Sequence, residues 1–373
     1  MQLLQTLVTL ESPSRDPARL GAVADRLARE LEARGAEVER RAAPGFGDHL
    51  LARVRGERTR DPAEGRGDEP PLLVLGHMDT VHPVGTLATL PFEVDARRDT
   101  VRGPGAYDMK GGIATALTAL DLLARARRQP RGDLLFLISC DEEIGSPSSR
   151  ELIERSARGA RAALVLEPCV PGGAAKTRRK GIAGFRLAVE GRAAHAGVEP
   201  EAGASAVHAL IALLERVRAL ADDASGTTVN VGVIAGGTRA NVVAAHAEAE
   251  VDVRFWSAAE AERVERGIRA LAPADPRCRL TVDGGTNRGA LERTDASARL
   301  FAAARGIAAA QGWELAEGAT GGASDGNLTS AAGCPTLDGL GPDGGGAHSP
   351  DEHVKLSDLP RRIALLAGLF LEL

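Results

Sequence analysis

The sequence has few cysteines, no long apolar run and no excess of basic residues, and each absence excludes a class of protein. Its four cysteines, Cys140, Cys169, Cys278 and Cys334, lie too far apart for a CxxC zinc site or a redox pair. They are also too few for a disulfide scaffold, so we expect buried, reduced thiols. No segment reaches the roughly 18–20 apolar residues that a membrane-spanning helix needs.

The charge balance gives no reason to expect a nucleic-acid or membrane-surface partner, because the formal net charge is -5 and the pI is near 6.0. The first residues, MQLLQTLVTLESPSRDP, contain neither a basic n-region nor the apolar core of a secretory signal. We therefore expect a cytoplasmic protein that binds no nucleic acid and no membrane.

The order of sequence patterns predicts a discontinuous two-domain α/β fold. Helical patterns alternate with short apolar strands through about residue 170, which is typical of a central sheet flanked by helices. A strand–helix–strand–strand–helix–strand series follows and predicts an inserted α+β domain with a four-stranded sheet and two helices. We place the first domain at 1–176 and 287–373, and the inserted domain at 177–286.

Two further segments carry local predictions. The amphipathic run ADRLARELEARGAEVER, residues 24–40, has leucine and alanine at helical spacing and predicts a helix. Residues 56–70 are charged and contain glycine and proline but almost no apolar side chain. That composition predicts an exposed loop, to which we assign no function.

Polar side chains end three short apolar runs: LLVLGHMDT (72–80), LLFLISCDEEIGS (134–146) and AALVLEP (162–168). Open α/β sheets bind their ligands at the carboxyl ends of such strands. We therefore expect these imidazole and carboxylate groups to lie along one edge of the sheet. Together with a glycine-flanked aspartate and a histidine near the C-terminus, the candidates are His77, Asp79, Asp108, Glu142, Glu143, Glu167 and His348.

These residue types fit a zinc centre, because zinc takes nitrogen and oxygen ligands and two zinc ions can share a carboxylate. Asp79 is spaced to accept a hydrogen bond from His77 and fix its tautomer. Glycines around Asp108 suit a strained turn at a helix start, where the helix dipole favours a negative charge. Adjacent Glu142 and Glu143 can divide the work of ligand and general base. Acidic residues at strand ends are also common surface features, so a solvated acidic turn is the alternative for 142–143.

An ordered set of motifs runs along nearly the whole chain: GHMDTV, GPGAYDMKGG, DEEIGS, LEP, GRAAHAG, RANVV, VDVR, TGGASDGN and AHSPDE. In this order the chain resembles the dinuclear zinc exopeptidases and amide deacylases. That family includes glutamate carboxypeptidases of the G type, acetylornithine deacetylase and succinyl-diaminopimelate desuccinylase. The motifs look most like the glutamate carboxypeptidase branch. The resemblance implies the zinc-exopeptidase catalytic domain with an inserted lid or dimerisation domain.

The resemblance also implies a set of metal ligands. His77 and Glu167 would bind one zinc ion, Glu143 and His348 the other, and Asp108 would bridge both. Each subunit would then hold two Zn²⁺, with Co²⁺ or Mn²⁺ as substitutes. The family often has a cis peptide after the bridging aspartate, here Asp108–Met109.

The catalytic roles follow from the same resemblance. Glu142 would be the general base for a metal-bridging hydroxide, and Asp79 would orient His77. His195, in GRAAHAG, would donate a hydrogen bond to the oxyanion, often in the active site of a partner subunit, so a homodimer through the inserted domain is expected. The alternative for His195 is a structural hairpin histidine. His82 and His353 do not match ligand positions.

Substrate contacts are implied at seven positions. Arg254 and Asn241 match residues that hold a substrate carboxylate, for which the guanidinium fork is suited. The alternative for Arg254 is a surface ion pair. Arg288 is a weaker carboxylate-binding candidate. The glycine-rich wall beside the substrate would consist of Thr320, Gly321, Gly322 and Ser324.

We therefore expect a zinc hydrolase that cuts an amide or peptide bond next to a C-terminal, carboxylate-bearing amino acid. Its substrate would be a small N-acyl-amino acid or a peptide. An N-acyl-amino-acid deacylase of the acetylornithine or desuccinyl type and a dipeptidase are alternatives that use the same metal site. A catalytically inactive binding homologue is a remote alternative, and the filled ligand positions argue against it.

Overall fold

The computed structural model describes residues 1–57 and 69–373, which form two compact units. The main unit comprises 1–178, 293–320 and 324–373, and the inserted unit comprises 179–292 and 321–323. Most of the exposed loop predicted for 56–70 lies outside the described residues.

The main helices and strands follow one another along the chain in a mixed α/β order. They are α1 (Gln2–Thr9), α2 (Pro17–Glu32), β1 (Glu37–Ala43), β2 (Gly47–Val54), β3 (Leu72–His77), β4 (Glu93–Asp95), β5 (Thr100–Arg102), α3 (Gly111–Arg125), β6 (Leu134–Ser139), α4 (Arg150–Arg158), β7 (Ala162–Val165), β8 (Ala175–Arg179), β9 (Gly181–Glu190), α5 (Ala206–Arg218), β10 (Thr228–Gly236), β11 (His246–Phe255), α6 (Ala258–Arg269), β12 (Arg279–Arg288), α7 (Asp295–Ala310), β13 (Glu317–Thr320), α8 (Asp325–Ala331), β14 (Thr336–Leu337), β15 (Gly344–Gly345), β16 (His353–Lys355) and α9 (Leu359–Glu372).

The main unit is built on a six-stranded mixed sheet in the order β1-β2-β6-β3-β7-β14. Strand β3 runs parallel to both β6 and β7, whereas β2 is antiparallel to β6. Leu72 and Val74 of β3 pack in one core with helices α1, α2, α3, α7 and α9, while Leu73 and Leu75 pack in another with α4 and α8. Alternate side chains of a strand point to opposite faces of the sheet, so these two cores lie on opposite faces. Helices therefore cover both sides of the sheet, as predicted.

The helix predicted over residues 24–40 is wrong at its C-terminal end. Helix α2 ends at Glu32, and residues of the predicted run from Glu37 onward form strand β1 instead. Gly35, with φ 80°, donates its N–H to the carbonyl of Glu32 and turns the chain out of the helix. Glycine reaches this left-handed conformation without a steric penalty, which is why the helix stops there.

The inserted unit has a four-stranded antiparallel sheet in the order β10-β11-β9-β12, with helices α5 and α6 packed against one face. Along β9, Phe185, Leu187 and Val189 are buried in this core, whereas Gly184 and Arg186 are exposed. This alternation is the pattern of a sheet covered on one side. It confirms the α+β architecture predicted for the inserted domain.

Two further sequence predictions concern the described residues. All four cysteines are buried and free, as expected. Within the ranges that the structure describes, no helix is both long and apolar enough to cross a membrane.

Candidate active site

The predicted ligands meet at the carboxyl edge of the three central parallel strands. His77 is the last residue of β3, Glu142 and Glu143 lie in a single helical turn after β6, and Glu167 follows β7. The Nε2 atom of His77 is 3.5 Å from Oε1 of Glu167. Three neighbouring strands therefore bring imidazole and carboxylate groups to one place.

Asp108 lies between two histidines that come from distant parts of the chain. Its Oδ1 atom is 3.3 Å from Nε2 of His77, and its Oδ2 atom is 3.3 Å from Nε2 of His348. The same Nε2 atom of His348 is 3.2 Å from Oε2 of Glu143. The Asp108–Met109 peptide is cis, as the resemblance led us to expect. One carboxylate thus presents a different oxygen to each imidazole, which is the arrangement that a bridging ligand needs.

The donor set fits two metal ions. Ligand atoms of His77, Asp108 and Glu143 lie within 4.8 Å of one another, and so do those of His77, Glu142 and Glu167. The Oε1 atom of Glu143 is buried and has no hydrogen-bond partner among the described residues. A buried carboxylate oxygen without a partner is costly unless a cation takes that place. Imidazole nitrogen and carboxylate oxygen are also the ligands that zinc prefers.

The electrostatics of the site show strong pairing between imidazoles and carboxylates. Burial raises the pKa of Asp108, but hydrogen bonds with His348 and His77 outweigh it and hold that pKa well below its usual range. The carboxylates of Asp108 and Glu143 raise the pKa of His348 to about 10. Burial raises the pKa of Glu143 itself. Because a metal binds the unprotonated imidazole, metal binding here would release protons.

Asp79 connects the end of β3 to the turn that carries the two glutamates. His77 Nδ1 lies 3.0 Å from the main-chain oxygen of Asp79 and 3.5 Å from its Oδ1 atom. The Asp79 carboxylate accepts the main-chain N–H groups of Glu142 and Glu143, both at 3.2 Å, and the hydroxyl of Ser14 at 2.7 Å. The main-chain oxygen can only accept a hydrogen bond, so this contact requires a proton on Nδ1, and Nε2 is the nitrogen that a metal would bind.

Sequence reasoning missed Glu352 and gave His82 no role, but both lie at the site. Glu352 Oε1 accepts the main-chain N–H of Tyr107 at 2.9 Å and of Asp108 at 3.0 Å. Its Oε2 atom accepts the N–H of Gly105 at 3.1 Å and lies 2.5 Å from His82 Nε2. Glu352 is part of the AHSPDE motif, which was the available signal.

The residues of the predicted glycine-rich wall differ in their solvent exposure. Gly321 and Gly322 are exposed, and a Cβ atom at Gly321 would meet no atom of the described chain within 4 Å. Ser324 is buried at the start of α8, where its hydroxyl accepts the N–H of Gly326 at 3.0 Å and donates to Asp338 at 2.8 Å. Thr320 ends β13. Contact between these residues and a substrate stays a prediction.

In the inserted unit, backbone pairing brings His195 and Asn241 together. The N–H of Ala196 donates to the carbonyl of Asn241 at 3.0 Å, and His195 forms a bridge with Val242. His195 is exposed, and its Nδ1 atom accepts the N–H of Gly197 at 3.1 Å. In the neutral imidazole this places the proton on Nε2, so the exposed nitrogen is a hydrogen-bond donor.

Arg254 and Arg288 lie at one end of the inserted sheet. Arg254 of β11 and Arg288 of β12 each pair with Ile182 of β9, from opposite sides. The Nε atom of Arg254 donates to Oδ1 of Asp252 at 2.8 Å, and its side chain is 33% exposed. Arg288 is buried.

His195 and Asn241 belong to the other end of that sheet. At that end His246, the first residue of β11, pairs with Glu190, the last residue of β9. Asn241 precedes this pair and His195 follows it in sequence. A ten-residue strand is about 30 Å long. The arginine positions and the His195–Asn241 loops are therefore separated by roughly the length of β11.

Comparison with known proteins agrees with this geometry. Residues 73–372 match the family described as Peptidase family M20/M25/M40. Carboxypeptidase G2 of Pseudomonas sp. (strain RS-16) is 30% identical over 380 residues, which covers 100% of this chain and 89% of that protein. A succinyl-diaminopimelate desuccinylase of Paraburkholderia xenovorans is 32% identical over 310 residues, covering 77% of this chain and 79% of that protein.

A solved structure shows the same fold. The YXEP protein of Bacillus subtilis, described as a dinuclear metal binding peptidase from the M20 family, matches with a TM-score of 0.69 at 18% identity. The match covers 99% of this chain and 96% of that chain. The chain belongs to the M20/M25/M40 peptidase family and is a metal-dependent hydrolase of the metallopeptidase or amidohydrolase type.

Proposed function

We propose that the chain is a two-zinc hydrolase that cleaves an amide or peptide bond next to a carboxylate-bearing C-terminal amino acid, as glutamate carboxypeptidases do. The observation that carries the proposal is the position of Asp108, with one oxygen 3.3 Å from His77 and the other 3.3 Å from His348. Similarity to carboxypeptidase G2 over the whole chain supports the C-terminal specificity.

The proposed ligand sets follow from the contacts in the site. His77 and Glu167 would hold one zinc ion, Glu143 and His348 the other, and Asp108 both. Zinc ions bound there would polarise the scissile carbonyl and lower the pKa of the attacking water. Co²⁺ and Mn²⁺ are expected to substitute, since they accept the same nitrogen and oxygen ligands.

Glu142 is the proposed general base. A carboxylate oxygen of Glu142 lies within 4.8 Å of ligand atoms of His77 and Glu167, and its backbone is fixed by the hydrogen bond to Asp79. From there it would take a proton from the attacking water and pass it to the leaving amine. His195, with its proton on Nε2, would donate to the oxyanion.

A Glu142→Gln variant tests the general base. It should keep both metal ions and lose about 10²–10⁴-fold in kcat, because the amide has nearly the same shape but cannot accept a proton. Glu151→Gln is a matched control, since the Glu151 side chain is 86% exposed on α4. The control should match the wild type in kcat. Turnover within a few-fold of the wild type in Glu142→Gln would reject the assignment.

Substrate recognition is proposed to involve Arg254 and Arg288, which lie at one end of the inserted sheet. Arg254 and Arg288 flank Ile182, so their backbones are two strand spacings, or about 10 Å, apart. Guanidinium groups bind carboxylates through two parallel hydrogen bonds. A carboxylate of a C-terminal glutamate or aspartate would bind Arg254, whose side chain is 33% exposed, while the buried Arg288 stays the weaker candidate.

A homodimer through the inserted unit is proposed because one copy cannot supply all the predicted substrate contacts. The arginine positions and His195 lie about 30 Å apart, at opposite ends of β9 and β11. A small substrate cannot reach both ends. The family resemblance assigns His195 to the active site of the partner copy, so His195 and Asn241 would serve that site, and Arg254 and Arg288 the site of their own copy.

Mixing two inactive variants tests this arrangement. Glu142→Gln and His195→Ala subunits should each be nearly inactive alone. After co-refolding, random pairing in a two-fold dimer should restore about one quarter of wild-type activity, because half of the dimers then contain one complete site. Light scattering on the same samples reports the mass. No recovery in a verified mixed dimer, or a monomer with full activity, would reject the proposal.

The substrate class is tested by release of free amino acid from N-acyl-amino acids and dipeptides. The panel includes glutamate and aspartate termini and N-succinyl-diaminopimelate, each with a chelator-treated control. We expect chelator-sensitive release of glutamate or aspartate from the C-terminal position. Preferred cleavage of the succinyl substrate would favour the desuccinylase relatives, and cleavage of unblocked dipeptides alone would favour a dipeptidase.

A further inference from the structure

Glu352 is a buried carboxylate that none of the proposed metal or catalytic roles uses. Glu352 is 1% exposed, and each of its two carboxylate oxygens has two hydrogen-bond partners. One oxygen accepts the main-chain N–H groups of Tyr107 and Asp108, and the other accepts that of Gly105 and pairs with His82. Four donors thus occupy the four acceptor positions of one carboxylate.

The three N–H groups belong to the turn that carries the proposed bridging ligand. Gly105 has φ 70°, and Asp108 and Met109 depart from helical geometry with φ −115° and −135°. The backbone here cannot follow a regular helical hydrogen-bond pattern, so its buried donors need other acceptors. The Glu352 side chain supplies them and thereby fixes the backbone of Asp108.

Glu352 also connects this turn to the other ligand-bearing segments. It lies four residues after His348, and its own N–H donates to the carbonyl of Ser349 at 3.2 Å. His82, its imidazole partner, lies five residues after His77. One side chain therefore joins three segments of the chain, each of which carries a proposed metal ligand, and the most distant contact spans 270 positions.

We propose that Glu352, held by His82, is a positioning residue for the metal centre. It fixes the Asp108 carboxylate relative to His348, so that each Asp108 oxygen faces a different histidine and both ions can share it. The inference rests on the proposed two-metal site. Residues that orient metal ligands typically change metal affinity by about 10–100-fold when they are replaced.

The test compares Glu352→Gln with a control in which another buried carboxylate, far from the proposed metal site, is also replaced by its amide. The glutamine amide nitrogen cannot accept a hydrogen bond, so at least one of the three N–H contacts is lost. The control is Asp133→Asn. Asp133 is 3% exposed and accepts the N–H of Gly56 at 3.0 Å and a hydrogen bond from Arg53, just before the start of β6. The metal ligands lie beyond the other end of that strand.

The affinity for Co²⁺ is measured by chelator competition. The visible absorption spectrum is recorded after each equivalent of Co²⁺, and the melting temperature of each variant is determined in parallel. Glu352→Gln should bind its weaker Co²⁺ ion about 10–100-fold less tightly and show an altered spectrum. At saturating metal, kcat should fall while KM stays within about twofold of the wild type, because the substrate contacts are unchanged. Asp133→Asn should lose thermal stability but keep the wild-type affinity and spectrum.

Two results would overturn the proposal: unchanged affinity and spectrum in Glu352→Gln, or equal loss of metal in both variants, which would mean that affinity follows global stability. If Glu352→Gln does not fold, His82→Leu replaces it, and unchanged Co²⁺ affinity in that variant overturns the proposal. A wild-type protein that binds fewer than two ions would instead contradict the proposed function.

Discussion

The contact between helix α3 and the end of strand β7 predicts a large effect from one added methyl group. A Cβ atom on Gly112 would lie 1.9 Å from the carbonyl oxygen of Leu166, whereas contacts below 3.0 Å are essentially never seen. Gly112→Ala must therefore push the two backbones about 1 Å apart. Asp108 precedes α3 and Glu167 follows Leu166, so the shift also separates two proposed ligands. We expect a loss of about 3 kcal/mol in the free energy of unfolding.

Gly21→Ala is the matched control for this prediction. Gly21 lies inside helix α2, where an added Cβ would meet no described atom within 4 Å. Alanine there should stabilise the protein by up to about 1 kcal/mol, because alanine has the higher helix propensity. Urea denaturation of the metal-free variants measures both changes, and chelator competition should show weaker metal binding only in Gly112→Ala. A Gly112→Ala protein as stable as the wild type would refute the packing argument.

Three further predictions follow from single contacts. Ser14→Ala removes the hydroxyl that donates to Asp79, and should weaken zinc binding by about tenfold in a chelator competition; unchanged affinity would contradict it. Hydrogen bonds from Arg263 and Thr227 lower the pKa of Glu260 to about 2. A carboxyl whose pKa falls on folding stabilises the protein above its unfolded pKa, so stability should decrease between about pH 4.5 and pH 2. In the Glu260→Gln variant, the free energy of unfolding should fall less between these pH values than in the wild type. The same pH dependence in both proteins would count against this prediction. Arg254→Lys should raise KM for a glutamate-terminated substrate by about tenfold with little change in kcat, since lysine has no bidentate fork; an unchanged KM would exclude Arg254 from carboxylate binding.

The parts of the fold that could be predicted are those where burial leaves a periodic pattern. Strand β3 is buried throughout because helices cover both its faces, and β9 alternates between buried and exposed residues because only one of its faces is covered. The β1–β2 hairpin could not be predicted. Its first strand continues a helical-looking run, and only the left-handed conformation of Gly35 separates the two elements.

The residues of the candidate site also fall into those that the sequence predicts and those that it does not. The proposed ligands stand at strand ends or in recognisable motifs, so the sequence points to them. Glu352 and Ser14 act through hydrogen bonds to residues 244 and 65 positions away, respectively. Such contacts leave no local periodicity, and only the three-dimensional structure shows that they converge on Asp108 and Asp79.

The proposed hydrolase is built around two metal ions that share Asp108. The most direct test is titration of the metal-free protein with Zn²⁺, with bound zinc counted by elemental analysis and amide hydrolysis followed at each equivalent. We predict two zinc ions per chain and full activity only when both are bound. Saturation at one ion or none, or hydrolysis that persists after all metal is removed, would contradict the proposed two-metal site.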